Sequence, residues 1–302
     1  WSGSYSKTSS EEPDRRQVMF EKAGNSLELF DLNKQENMRY FGSLNEEEWV
    51  GDLRSSYRYG DNNLIRMGAT YKDKSRTFRS TRFYYDVSRF NPEIEDIYQT
   101  SSFMGYDHIA NGDITIIRDQ QPKDQYDAGH SIYAGFIDAE YYPTANFLMN
   151  IGVRYEYSHQ WVNYATDGGE AKRNEVNCHD FFPAMNLKYT VNDANSLRFS
   201  FSRTVTRPSF IEMAPFLYQE SYGAAMIRGN AELKNGYNYN IDLRYERFDL
   251  QNSNNMFSIT GYAKILEDPI ERTQTLSGGA AVHSFQNADT GVAAGAVSYT
   301  HL

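Results

Sequence analysis

The residues best equipped for chemistry are sparse in this chain, and their spacing argues against an enzyme. Cys178-His179-Asp180 sets three metal-capable side chains in a row. Neighbours on an extended chain point to opposite faces, so the three cannot readily share one ion. The segment is read as a polar strand entry. The 6 histidines, His108, His130, His159, His179, His283 and His301, show no metal-ligand spacing. No Gly-x-Ser-x-Gly elbow and no phosphate-binding P-loop occur. Ser277-Gly278-Gly279-Ala280 is glycine-rich, but no helix follows it to present amides to a phosphate, so it is read as a loop. Catalytic residues, metal ligands and cofactors are therefore expected to be none. Two other groups remain. Arg207-Pro208 stands where an alternating run ends, a place for a proline to stop a hydrogen-bond ladder. Trp161, Tyr164, Phe216, Tyr218 and Tyr222 fall in expected connections, and flat rings suit ligand contact as well as packing on one another.

Strands are expected to carry these residues. Ile151, Val153, Tyr155 and Tyr157 alternate with Gly152, Arg154 and Glu156. Leu197, Phe199 and Phe201 alternate with Arg198, Ser200 and Ser202, and Leu243 and Tyr245 with Asp242, Arg244 and Glu246. Phe257, Ile259, Ala263 and Ile265 share one face against Ser258, Thr260 and Lys264. This period of two marks half-apolar strands, and no helical stripe with caps competes with it. The spans 147–163, 181–190, 196–205, 237–249 and 256–266 are predicted to be antiparallel neighbours in sequence order. Pro183 is placed at a strand start.

Connections alternate short and long. Asn, Asp, Gly and Pro mark tight turns at 60–63, 143–146, 192–195 and 251–255. Long polar connections are expected at 91–124, 164–177 and 206–235. A transmembrane barrel sorts short turns to one end and long loops to the other, and its strands need about 9–11 residues to cross the hydrocarbon. Tyr141, Tyr142, Phe147, Tyr237 and Tyr239 near strand ends suit an aromatic girdle.

Composition agrees. Lys plus Arg number 30 and Asp plus Glu 40, a formal charge of −10, which disfavours nucleic acid as partner. Aromatic residues make up 15%, too many for a disordered chain. No run approaches the roughly 18 apolar residues of a membrane helix. One cysteine, Cys178, gives no disulfide framework. Chemistry-free strands with a charged inner face leave three classes open: an active transporter, a passive porin-like barrel and a soluble β-sandwich binding module.

Three motifs in order carry a family resemblance. Asn150 to Glu156 is similar to a Gly-x-Arg-Tyr-Glu strand. Leu197 to Phe216 runs into Arg207-Pro208 and ends in Ala214-Pro215-Phe216. Arg228-Gly229-Asn230-Ala231-Glu232-Leu233-Lys234 resembles a Gly-Asn-Pro-x-Leu-Lys-Pro segment, with Ala231 and Asn235 in place of the two prolines. Together they resemble TonB-dependent outer-membrane receptors, most closely over 126–271, in a style similar to those of the Bacteroidota. The resemblance implies an all-β, antiparallel up-and-down transmembrane β-barrel in the outer membrane of a Gram-negative bacterium, incomplete here at about half of 22 strands. It implies active uptake of a scarce nutrient: a siderophore, haem, cobalamin, glycan or peptide. Implied partners are outer-membrane lipid, TonB-ExbB-ExbD acting through a plug region expected before Trp1, and a surface lipoprotein. Arg207, Pro208, Ala214, Pro215, Phe216, Gly229, Asn230, Leu233 and Lys234 are then structural motif residues. Residues 1–296 are taken as the partial barrel. Val297 to Leu302 looks like a translated sequencing adapter and is set aside from the fold.

Overall fold

The computed structural model describes all residues except 61, 91, 93, 167, 219–223, 250–254, 278–279 and 302. In chain order the strands are β1 (Ser2–Gln17), β2 (Phe20–Ala23), β3 (Ser26–Leu29), β4 (Met38–Tyr59), β5 (Asn63–Asp86), β6 (Thr115–Asp119), β7 (Gln125–Thr144), β8 (Phe147–Ala165) and β9 (Ala171–Asn192). They continue with β10 (Asn195–Thr206), β11 (Leu217–Tyr218), β12 (Met226–Arg228), β13 (Gly236–Phe248), β14 (Met256–Glu267), β15 (Ile270–Ser277), β16 (Ala280–Asn287) and β17 (Gly291–His301). Helices are confined to connections: α1 (Thr100–Met104), α2 (Tyr106–Ala110), a 3-10 turn at Pro122–Asp124, and α3 (Phe210–Met213).

Ten strands follow one another in the antiparallel order β1-β4-β5-β7-β8-β9-β10-β13-β14-β17, with β6 added beside β5. All five spans predicted from periodicity, now β8, β9, β10, β13 and β14, are neighbours in that path. No pairing joins β1 to β17 among the described residues, so the sheet is open. Its short turns lie at one end. At 192–195 the Asn192 side chain accepts from the Ala194 amide (3.1 Å) and the Asn195 amide group (2.7 Å), the local bond that makes Asn a turn residue. The opposite end carries the β2–β3 hairpin, α1 and α2, α3 with β11 and β12, and the β15–β16 hairpin.

The faces are those of a barrel wall. Exposed apolar residues include Leu53, Met67, Ile137, Ile151, Val153, Tyr155, Leu243, Ile259 and Ile265, whereas Glu156, Gln160, Asp180, Glu246 and Ser258 on the other face are buried. Phe199, Phe201 and Tyr245 share the outward face but are half-covered. Inside-out polarity is stable only where the outer solvent is apolar. A sandwich would bury this face under a second sheet, whereas among the described residues its large apolar side chains stay exposed.

Tyr71, Tyr133, Tyr157 and His179 stand opposite one another across β5, β7, β8 and β9, forming an outward row. Successive rings in it lie 5.0, 6.2 and 4.8 Å apart. A second row near the tight turns includes Tyr141, Phe147 and Tyr189. From Phe147 to Tyr157, ten steps at ~3.3 Å and ~40° tilt span ~25 Å, the height of an outer-membrane apolar band. The rows therefore bracket a band of that height, but not with all of the rings expected: Tyr141 and Phe147 stand in the lower row, whereas the Tyr142 hydroxyl donates to Glu140 at 3.4 Å and the Tyr237 hydroxyl to the inward Asp180 at 2.6 Å.

Three expectations change. Residues 164–177 are not a long loop: β8 and β9 pair up to Ala165↔Ala171, leaving 166–170 as the connection. Polar side chains do not prevent pairing, because the ladder is made by backbone groups, and the hairpin projects beyond the outer aromatic row. Pro183 lies inside β9, not at its start. The β9–β10 pairing stops at Ala184↔Ser202, the residue next to a proline that has no N–H to donate. Val297 to His301 extends β17 along β14. The face pattern reverses there: Val292, Ala294 and Ala296 share the outward side with Ile265, Ala263 and Gly261, while Ser298 and Thr300 follow them on it and Val297 and Tyr299 turn inward.

Candidate functional site

Arg207 and Pro208 turn the chain from β10 back over the inner wall. Arg207 donates from Nη2 to Glu156 Oε2 at 2.7 Å, and Arg154 donates to Oε1 of the same carboxylate at 2.6 Å. The Pro208 carbonyl accepts from Gln160 Nε2 at 2.7 Å, with both residues buried. Glu156 and Gln160 are inward residues of β8, so alternation on one strand prepares two anchors for a loop 51 and 48 residues later. Ser209 then opens α3 with a capping box closed by Glu212.

The turn of helix presents Phe210 and Met213 to the wall. With Ala214 and Phe216 they form a buried cluster on Tyr126, Ala128 and Val162 of β7 and β8. Arg76 stands over the Phe210 ring at 5.2 Å. The segment is a strap docked on the lumenal face.

The second motif closes it. A Cβ on Gly229 would lie 2.2 Å from the Ala214 carbonyl oxygen and 2.5 Å from that of Ile211, so only glycine allows the two backbones to touch. The Asn230 amide donates to the Glu212 carbonyl at 2.6 Å. Asn230 Nδ2 donates to the Phe285 carbonyl (2.9 Å), and Asn287 both accepts from the Lys234 amide (2.8 Å) and donates to its carbonyl (3.0 Å). Leu233 is buried. The motif residues thus tie three connections into one unit. Pro215 is half-covered within the strap.

The ring candidates separate. Tyr218 and Phe216 line a cavity of about 340 Å³ against β1, β4 and β5. Tyr164 packs beside the strap cluster. Trp161 belongs to β8 and not to a loop; it pairs with Glu175 and Gly129 on the outward side, under the Arg173 guanidinium at 4.5 Å. Tyr222 lies outside the described residues. His179 stands outward, its Nδ1 2.7 Å from the Tyr155 hydroxyl, while Asp180 accepts from the Tyr237 hydroxyl at 2.6 Å. The two neighbours therefore part to opposite faces, and no metal-holding group of three occurs among the described residues. Sequence reasoning missed Glu156 and Gln160 as anchors, and Arg82, Tyr40 and Asn287 altogether; alternation gives their face but no partner.

A family model described as the outer membrane protein beta-barrel family matches residues 96–301. Among solved structures, the copper transporter OprC matches 97% of this chain over 39% of its own, at 12% identity and a TM-score of 0.58. The FpvAI–pyocin S2 complex matches 98% of this chain over 34% of its own, at 12% identity and a TM-score of 0.55. The chain therefore spans between a third and two fifths of the length of these neighbours. No curated protein matches it. The resemblance to TonB-dependent outer-membrane receptors holds for the fold, and with it the outer-membrane setting.

Proposed function

We propose that this chain, which belongs to the outer membrane protein beta-barrel family, is part of the wall of a receptor for TonB-dependent active uptake of a scarce nutrient. The observation that carries the reading is the ten-strand open path, which superimposes nearly whole on less than two fifths of a copper transporter. In lipid an unpaired strand edge costs several kcal/mol per group, so a wall of this kind belongs in a wider closed barrel. The inner face supports the rest. Glu46 pairs with Lys74 (2.9 Å), Glu48 with Lys72 (3.0 Å) and Arg198 with Glu246 (2.8 Å), a two-signed surface suited to a folded plug.

In this reading the plug couples the barrel to TonB-ExbB-ExbD, a surface lipoprotein can seat on the outer connections, and lipid contacts the outward apolar band. Siderophores, haem, cobalamin, glycans and peptides are the candidate cargo classes, and copper joins them through the structural neighbour. No catalysis is part of the proposal. The test is uptake of labelled candidates by cells producing the complete gene product. Uptake lost with TonB deletion or a proton uncoupler supports the reading; uptake that persists under both would make the barrel a passive pore.

A further inference from the structure

Resting on the receptor reading above, we infer that an outward groove across β4, β5, β7, β8 and β9 holds one acyl chain of an outer-leaflet lipid as a fixed part of the wall. The groove has a volume of about 580 Å³.

Strand register builds it. Leu53, Ala69, Gly135, Tyr155 and Phe181 stand opposite one another on the five strands. Along that outward row Ala69 and Gly135 make a low floor between the taller Leu53 and Tyr155. The row below carries Met67, Ile137 and Val153. The row above is closed by Tyr71 and Tyr133, with ring centres 5.0 Å apart. Tyr155 is held in place, its hydroxyl 2.7 Å from His179 Nδ1 and its ring centre 5.1 Å from that of Phe181.

Gly135 is the residue that the fold itself does not explain. A glycine inside a strand weakens it, and marks a bulge, a corner, a close backbone or a ligand. The ladders from β7 to β5 and to β8 pass Gly135 without a register shift, which leaves no bulge or corner. Its φ is not left-handed. A Cβ there would meet only the Gly68 carbonyl oxygen at 3.8 Å, an ordinary contact. Gly68 differs, because its Cβ would sit 2.5 Å from both the Leu53 carbonyl oxygen and the Phe136 ring. Of the four reasons, a ligand remains for Gly135.

Depth and chemistry name that ligand. Tyr155 and Val153 lie two and four residues below Tyr157, of the ten that separate the two rows of rings on β8. The groove is therefore inside the apolar band, in its outer half. Leu53, Met67, Ile137 and Phe181 around it are 47–62% exposed. Among the described residues no charged side chain lines it, so it suits a hydrocarbon chain and not a headgroup or an ion. Left empty, its floor and walls would forfeit dispersion contacts. Between apolar groups in lipid, packing of this kind is what favours association.

The experiment reconstitutes the complete gene product in phosphatidylcholine vesicles doped with a phosphatidylcholine whose palmitoyl chain bears a mid-chain diazirine. After illumination, adducts are mapped by peptide mass spectrometry. They are expected to concentrate on the groove residues over the outward face of β13 and β14, where Leu243 and Ile259 are exposed to a similar degree, 56% and 45%. Gly135→Leu fills the floor and should lower the groove adduct about 5-fold, the loss of roughly ten atom contacts. Gly261→Leu adds the same side chain to the outward face of β14, where a Cβ meets nothing within 4 Å, and should leave the groove adduct unchanged. Adducts spread evenly over both faces, or an undiminished groove adduct in Gly135→Leu, would overturn the assignment. So would cross-linked copies in place of lipid adducts, which would make the occupant a second chain. Should Gly135→Leu fail to fold, judged by heat-shifted gel mobility, Gly135→Ala and the comparison of the two faces decide. Labelling needs no energy source, so a passive pore by the uptake test leaves the groove standing, and an unlabelled groove leaves the uptake reading standing.

Discussion

Gly229→Ala is the sharpest perturbation of the strap. The added Cβ would meet the Ala214 carbonyl oxygen at 2.2 Å, its carbon at 2.8 Å and the Ile211 carbonyl oxygen at 2.5 Å. All three are backbone atoms, so no side chain can swing away, and the segments must separate by about 1 Å to reach ordinary contact. Overpacking of this kind costs about 1–3 kcal/mol. The separation also strains the Asn230 amide bond to the Glu212 carbonyl, now 2.6 Å, a bond worth about 0.5–1.5 kcal/mol net. A combined loss of about 2–4 kcal/mol raises the population of the undocked strap roughly 30- to 900-fold. Amide hydrogen exchange reads this directly at Asn230 and Met213 in the complete gene product in detergent. Gly261→Ala is the matched control, because a Cβ on Gly261 meets nothing within 4 Å. Exchange at Asn230 that is the same in both variants would rule out a crowded contact at Gly229, since the identical methyl would then cost the same in a crowded and in an open place.

Glu156 holds both Arg154 and Arg207. Glu156→Ala should therefore destabilise by about 3–5 kcal/mol, more than either arginine→Ala, because a lone arginine loss leaves the carboxylate one partner; thermal shifts of gel mobility rank the three. Leu243→Arg places a charge on the outward band, where Leu243 is 56% exposed, and should cost about 2–4 kcal/mol at mid-membrane. Ser200→Arg joins Arg198 and Asp242 on the inner side and should leave the folded fraction nearly intact, so equal yields from the two would count against the faces. In the outer connection, the Asp113 carboxylate 3.2 Å from His108, aided by the Ser102 carbonyl, raises the imidazole above its ordinary value near 6.5. A raised folded pKa gives stability that is present below the unfolded value and fades as pH climbs through the folded one. Exchange protection at Ile114, whose amide bonds the His108 carbonyl, should fall over that climb, and Asp113→Asn should flatten the profile.

The wall was legible from the residues alone. Alternation at Ile151 to Tyr157, or at Leu197 to Ser202, needs only the two-residue period of an extended chain, and the polarity of each face follows from which solvent it meets. Tight turns were equally legible, since Asn192 makes its turn with bonds to residues two and three places on. The motif pairs Arg207-Pro208 and Gly229-Asn230 could be recognised as a pattern. Their reason could not, because it depends on where the backbone of Gly229 meets that of Ala214 and Ile211. The extent of β8 and β9 was likewise hidden: Tyr164 and Glu175 look like loop residues until each strand supplies the other's ladder partners. Tertiary structure alone decided which inward residues of β8 would anchor the strap, and that Tyr40, Arg82 and Tyr218, from 40 to 218 along the chain, would face one cavity. Periodicity fixes a side chain's direction from its own strand, whereas a partner is chosen by the register and curvature of the whole sheet.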